Sequence, residues 1–197
     1  MKSLLVYLTT KDKVKGEADI KLALRKDMKN AVCWQTLGLF HRHCKYSLYL
    51  NVNSRNYVEA RKAFQFAYMY DSSNLQLLID LTSLHAQNRD YTGFRTCNQK
   101  LIAKLPNRSG FWLGFMVGYF LEGKYDNCIE VIQEYRKTLD STPTILRQQL
   151  VYLESECLKA QGKIEKALAI FQSNLKDILN EDAGKEMIAV LYGELGK

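Results

Sequence analysis

The chain has 197 residues, 47% hydrophobic and 25% charged with two prolines, which is ample for a continuous core and argues against long disordered linkers. Its net charge of +7 is uneven: residues 1–62 carry 13 Lys and Arg against 5 Asp and Glu, residues 63–197 carry 15 against 16, and an excess confined to the first third points to a polyanion or an acidic partner. No apolar run reaches the roughly 18–20 residues of a membrane span, and the run at 4–8 is too short for a signal-peptide core, so the chain reads as cytosolic with no membrane contact.

In chain order, a short apolar run at 3–8 precedes residues 16–29, which read as the second helix of an incomplete repeat. There Ala18, Leu22 and Met28 are expected to face inward and Lys21, Arg25, Lys26 and Lys29 outward. Residues 31–44 read as a first helix with Val32, Trp34, Leu37 and Phe40 toward the core. The aromatic, β-prone stretch 45–53 breaks the pattern; it extends the helix or forms a loop, with extension favoured. Residues 57–70 form the matching second helix, burying Ala60, Phe64 and Ala67 and turning Arg61 and Lys62 outward. Residues 75–87 and 91–104 make the next pair, with Asp90 as cap of the second helix and Pro106 ending it. In 109–139, Trp112, Phe115, Met116 and Tyr119 line one helix, Gly123 and Lys124 turn the chain, and Cys128, Ile132 and Tyr135 line the next. Thr142 and Pro143 open a long helix at 144–161, 163–179 close the fourth pair, and 183–195 is a last helix with Met187, Leu191 and Leu195 at a four-residue step.

These positions fall in the slots of a repeat of about 34 residues, the tetratricopeptide pattern of Trp, Leu-Gly, Tyr, Ala, aromatic, Ala and Pro. Trp34, Leu37, Gly38, Ala60, Phe64 and Ala67 fill one unit once about ten inserted residues are allowed. Leu81, Phe94 and Pro106 belong to the next, Trp112 and Tyr119 to the third, Ala167 and Phe171 to the fourth. The expected class is all-α, a right-handed solenoid of helix pairs in a single domain over 1–197, with a partial repeat at 1–30, repeats at 31–72, 75–106, 109–140 and 144–179, and a partial helix at 183–197. Both ends look cut from a longer solenoid, so they are expected to be covered by missing neighbours or by self-association of copies.

Asn74–Leu84, then Arg89 and Asp90 with Gly93, Phe94 and Arg95, then Trp112, Gly114 and Phe115, then 135–138 with Thr142 and Pro143, resemble one family more than the generic repeat. They are similar to the auxiliary, ribosome-anchoring subunit of the major eukaryotic N-terminal acetyltransferase complex. Arg89, Asp90, Gly93 and Arg95 lie outside the generic repeat positions, which makes the likeness specific. The resemblance implies an amino-proximal slice of a non-catalytic scaffold that wraps a catalytic acetyltransferase subunit, with basic helices near the amino end helping to dock it at the ribosome. It implies no cofactor here, because acetyl-CoA would belong to the partner catalytic subunit. The basic residues placed against ribosomal RNA are Lys21, Arg25, Lys26, Lys29, Arg61 and Lys62, making sequence-independent phosphate contacts.

Catalytic chemistry finds no support in the residues. There is no Ser/His/Asp arrangement, no GxGxxG or GxxxxGK[ST] and no Gly-rich pyrophosphate loop. His41, His43 and Cys44 are the one cluster of metal-type residues, but positions two apart on a helix do not share a face, so no metal site is expected. The cysteines 33, 44, 97, 128 and 157 are odd in number and lack a CxxC pair, as reduced buried thiols would be. Glu154 and Glu156 read as solvated charge, and His85 as packed between helices. The competing reading is a peptide-binding adaptor of the chaperone-cofactor kind. Its carboxylate clamp needs a cation at positions that here hold Gln35, Leu39, Ile79, Ser83, Leu113 and Val117.

Overall fold

A computed structural model describes residues 13–43, 45–46, 54–139, 144–178 and 181–196. The apolar run at 3–8, most of the 44–53 insertion, and residues 142–143 lie outside them. Among the described residues there are ten α-helices: α1 Lys13–Lys26, α2 Ala31–His43, α3 Tyr57–Tyr70, α4 Leu75–Gln87, α5 Tyr91–Lys104, α6 Ser109–Leu121, α7 Tyr125–Lys137, α8 Ile145–Ala160, α9 Ile164–Ser173 and α10 Glu181–Glu194. A 3-10 turn, Leu175–Asp177, follows α9. The fold class is the all-α, tetratricopeptide type expected. None of these helices is long and apolar enough to cross a membrane.

Several helix starts are written in side chains. Asn56, Asn74, Asp90 and Thr144 stand just before α3, α4, α5 and α8 and accept backbone N–H groups of the first turn, at 3.0 Å for Asn56 and Asp90. Each such cap stabilises its helix by about 1 kcal/mol. The turns joining α4 to α5, α6 to α7 and α8 to α9 repeat one geometry. A residue in the left-handed region, Arg89, Gly123 or Gly162, lets the next N–H reach back five residues, so that Asp90, Lys124 and Lys163 donate to His85, Tyr119 and Leu158 at 2.9 Å. Arg89 holds this conformation at φ 56° with a full side chain, at a cost of about 1–2 kcal/mol over glycine.

The first pair departs from this turn. α2 and α3 start 26 residues apart, α6 and α7 start 16 apart, and the ten-residue excess is the insertion. The favoured helical extension is not what forms. α2 stops at His43, and Lys45–Tyr46 pairs antiparallel with Ser54–Arg55, with Lys45 opposite Arg55. The β-rich composition of this stretch wins over the helical period of the preceding residues.

The chain divides into two compact units, Met1–Leu101 and Ile102–Lys197, the division falling within the last turn of α5. In the first, Ile20 and Leu24 of α1 pack on Leu37 and Phe40 of α2 and Ala63 of α3. Phe64, Ala67, Leu77, Leu78, Leu81 and Leu84 are also buried there; each leucine so removed from water contributes about 1.5–3 kcal/mol. This corrects the phase expected for α1. Ala18 is exposed, and Leu22 and Met28 are 53% and 64% exposed, because Gly16, Ile20 and Leu24 form the inward row. Val32 is likewise outside, at 61%. Gly38 lies against Phe64, whose ring would stand 2.4 Å from an added Cβ.

In the second unit, Met116, Cys128, Ile132, Leu150 and Cys157 join α6, α7 and α8. Val151, Leu158, Ala167, Leu168, Phe171 and Leu191 continue that packing through α9 to α10. The two tryptophans repeat one device, one in each unit. Trp34 Nε1 donates to the Met28 carbonyl at 2.7 Å and Trp112 Nε1 to the Pro106 carbonyl at 2.8 Å, each six residues back. Each indole also stacks on a ring of the next helix, Trp34 on Phe66 at 4.6 Å and Trp112 on Tyr135 at 5.0 Å. Pro106 is itself exposed; its part is to stop α5 and offer that carbonyl.

Candidate functional site

The basic residues of the first third fall into two groups. Lys21, Arg25 and Lys26 are exposed on α1, and Lys29 is exposed in the turn that follows, outside the helix expected to hold it. Lys21 pairs with Glu17 one turn before it, at 2.7 Å, an exposed pair worth a few tenths of a kcal/mol. Among the described residues, no ion pair engages Arg25, Lys26 or Lys29. Ala18 and Leu22 share the outer side of α1 with them, so the face is basic and apolar together.

Arg61 and Lys62 are placed differently. Lys62 is exposed and bonded to Glu59 at 2.8 Å. Arg61 is turned into the structure, its guanidinium 3.0 Å from Asp90. Asp90 is a hub. Its Oδ2 also meets His85 Nδ1 at 2.8 Å, and its Oδ1 caps Gly93 N–H at 3.0 Å. With the carboxylate ionised, Nδ1 must carry the proton and donate. α3, α4 and α5 are thus locked through one carboxylate, and the Arg89, Asp90 and Gly93 motif has its physical reason. Asp90 makes the lock, and Gly93 clears room for the His85 ring. A second lock, Arg42 to Asp80 at 2.8 Å, ties α2 to α4.

Charge in this lock is balanced for neutral His85. Burial lowers the His85 pKa below its ordinary 6.5, against the pull of Asp90. Arg61 already neutralises that carboxylate, so a protonated His85 would leave net positive charge in a half-buried cluster. For Asp90, burial alone would raise the pKa; the Gly93 N–H, His85 and Arg61 outweigh it and hold the group below the usual range. His41, 6% exposed, is lowered by burial in the same way as His85. Between the lowered folded value and 6.5, the unfolded chain binds more protons than the folded one. Stability present above about pH 6.5 is therefore lost as pH falls through the folded values. The urea midpoint is expected to be lower at pH 5.5 than at pH 7.5, and the double variant H41Q/H85Q is expected to flatten that slope.

The second unit holds a third lock. Glu154, 1% exposed, accepts from Arg136 Nη2 at 2.7 Å and from Gln133 Nε2 at 3.2 Å. This overturns the solvated reading of Glu154. Glu156 keeps that character, half-exposed and 3.4 Å from Lys159. Cys128 and Cys157 are both buried beside this lock, and hydrogen bonding to Cys157 together with burial pushes the Cys128 thiol well up, into the inert form. A groove of about 720 Å³ lies between α6 and α7 and is lined by Trp112, Phe115, Tyr119 and Tyr135 with Glu130 and Glu134.

Of the residues assigned to repeat packing, Leu37, Gly38, Ala60, Phe64, Ala67, Leu81, Ala167 and Phe171 are buried, and Trp34, Phe94, Trp112 and Tyr119 are half-buried. The clamp positions carry no cation: Gln35, Leu39, Ile79, Leu113 and Val117 are half-buried and Ser83 exposed. The arginine–carboxylate locks escaped the sequence reading because their partners lie 18 to 38 residues apart; a His facing a capping Asp across a turn was the signal available.

No family model matches the chain. It is 29% identical over 183 residues, 90% of its length, to the N-terminal acetyltransferase A complex auxiliary subunit NAA15 of Arabidopsis thaliana, of which it covers 19%. It is 30% identical over 159 residues, 81% of its length, to N-alpha-acetyltransferase 16, NatA auxiliary subunit, of Mus musculus, covering 17% of that protein. The chain thus spans about a fifth of the length of these curated relatives. Among solved structures it matches that of Naa15/Naa10 bound to HypK-THB, with a TM-score of 0.83 and 27% identity, over 99% of this chain and 28% of that one. A crystal structure of MamA shares the fold, at TM-score 0.57 and 16% identity over 87% of this chain and 85% of that one.

Proposed function

As a relative of the NatA auxiliary subunits over most of its length, this chain is, we propose, part of a non-catalytic scaffold that holds an acetyltransferase subunit and helps dock it at the ribosome in the cytoplasm. One observation carries the reading: the backbone follows a solved Naa15 chain over nearly all its length, and that chain is paired with Naa10. Acetyl-CoA would then be bound by the catalytic partner, and this chain would supply packing surface. Stacked helix pairs held by part-buried ion pairs suit that role, because a scaffold must keep its shape while another subunit does the chemistry. The absence of a cation at the clamp positions argues against the peptide-adaptor reading, since nothing there would balance a carboxylate removed from water. Co-expression with a Naa10-type subunit is expected to give a co-purifying pair, while a chaperone carboxyl-terminal peptide is expected not to bind. The reverse result would favour the adaptor.

The ribosome contact is assigned to Lys21, Arg25, Lys26 and Lys29, leaving Arg61 to its lock with Asp90. Phosphate contacts release counterions, so binding should weaken steeply with salt. Reversing the four residues to Glu is expected to cut co-sedimentation with ribosomes at least tenfold near 100 mM salt, by about the logic of four lost phosphate contacts. Unchanged binding after reversal, or no binding of the parent chain at low salt, would remove this part of the proposal.

A further inference from the structure

α7 presents Asp126, Glu130 and Glu134 at a four-residue step, all exposed. Like charges one turn apart weaken a helix, and they stand out in a chain whose net charge is +7. Asp126 is engaged by Gln161 at 2.9 Å. Glu134 meets Lys137, but both are about two-thirds exposed, so the pair is weak and easily exchanged. Among the described residues, Glu130 makes no ion pair.

Glu130 and Glu134 form the edge of the aromatic groove, and among the described residues no Lys or Arg lines it. Its base is the stacked pair Trp112 and Tyr135 with the edge-to-face pair Phe115 and Tyr119, ring centroids 5.0 Å apart in both pairs. Ring faces are electron-rich and attract cations, and the attraction grows when water is excluded. The groove's 720 Å³ exceeds one side chain several-fold and lies within the range of about 300–1,000 Å³ typical of binding pockets. Lys and Arg suit such a site, because their apolar stems lie along rings while their heads reach carboxylates.

We propose that this groove docks a partner segment carrying Lys or Arg beside apolar side chains, the stem lying along Trp112 and Tyr135 and the charge held between Glu130 and Glu134. This assignment stands independently of the scaffold reading, since it rests on the groove alone. An acidic or purely apolar segment fits less well, as it would bring like charge or none to the two carboxylates.

Calorimetric titration of the whole chain with three acetylated and amidated heptapeptides tests it. The first is Leu-Lys-Ala-Leu-Arg-Ala-Leu; in the others Gln or Glu replaces both Lys and Arg. The basic peptide is expected to bind at least tenfold more tightly than the Gln peptide, and the Glu peptide not to bind. The variant E130Q/E134Q should weaken the basic peptide at least tenfold without lowering the melting temperature. Equal binding of all three peptides, unchanged binding to the variant, or no binding of the basic peptide at millimolar concentration would overturn the proposal. So would self-association of the free chain that E130Q/E134Q abolishes, which would make a second copy the occupant.

Discussion

Replacing Arg136 by Met is expected to destabilise the chain by about 3–5 kcal/mol, the scale for removing one partner of a buried ion pair. Glu154 is 1% exposed and would keep only the Gln133 bond. A carboxylate left there uncompensated must stay charged in a poor solvent, take up a proton, or drag the surrounding helices open. The pair itself need contribute little, since taking both charges out of water offsets much of their attraction. The double variant R136M/E154L is therefore expected to recover most of the loss. Urea titration of parent, single and double variants reads this directly. A loss below about 1 kcal/mol in the single variant would mean that Glu154 is not held in the buried state described.

A single methyl at residue 93 is expected to be nearly as damaging. On an open helix, Gly→Ala gains about 0.5–1 kcal/mol, so the sign of the effect is informative. Here the added Cβ would stand 2.0 Å from His85 Nδ1 and 2.4 Å from Cε1. The ring cannot swing clear without giving up its 2.8 Å bond to Asp90. Overpacking of this kind typically costs about 1–3 kcal/mol, and loss of the His85 bond adds about 1 kcal/mol. G93A is expected to lower the urea midpoint, and H85A placed on top of it to restore part of the difference. A G93A variant more stable than the parent would contradict the packing of His85 against α5.

Most of the helices could be located from the sequence, because their signals are local. Apolar residues three and four apart, a capping Asn or Asp, and a glycine past the last turn are all read within a few positions. The errors share a cause of the opposite kind. Leu22 looks as good a core residue as Ile20 until the surface it must meet is known, and that surface belongs to α2 and α3. Arg61 and Glu154 look like ordinary surface charge until Asp90 and Arg136 arrive from other helices. The insertion misled for a different reason. Pairing of Lys45–Tyr46 with Ser54–Arg55 depends on residues eight and ten apart meeting, which no helical period reveals. The aromatic groove was present as Trp112, Phe115, Tyr119 and Tyr135, but those residues also satisfy the packing pattern of the repeat, so nothing in the spacing marked them as a surface.

The chain's two tryptophans fall one to each unit, and each is fastened the same way, indole N–H to a carbonyl and ring to ring. Nature has thereby installed a separate optical gauge in each half. With Trp112 changed to Phe, emission follows the amino-terminal half alone; with Trp34 changed to Phe, it follows the other. Melting curves from the two variants would coincide for a chain that unfolds as one cooperative body and part company for one whose halves come undone in turn.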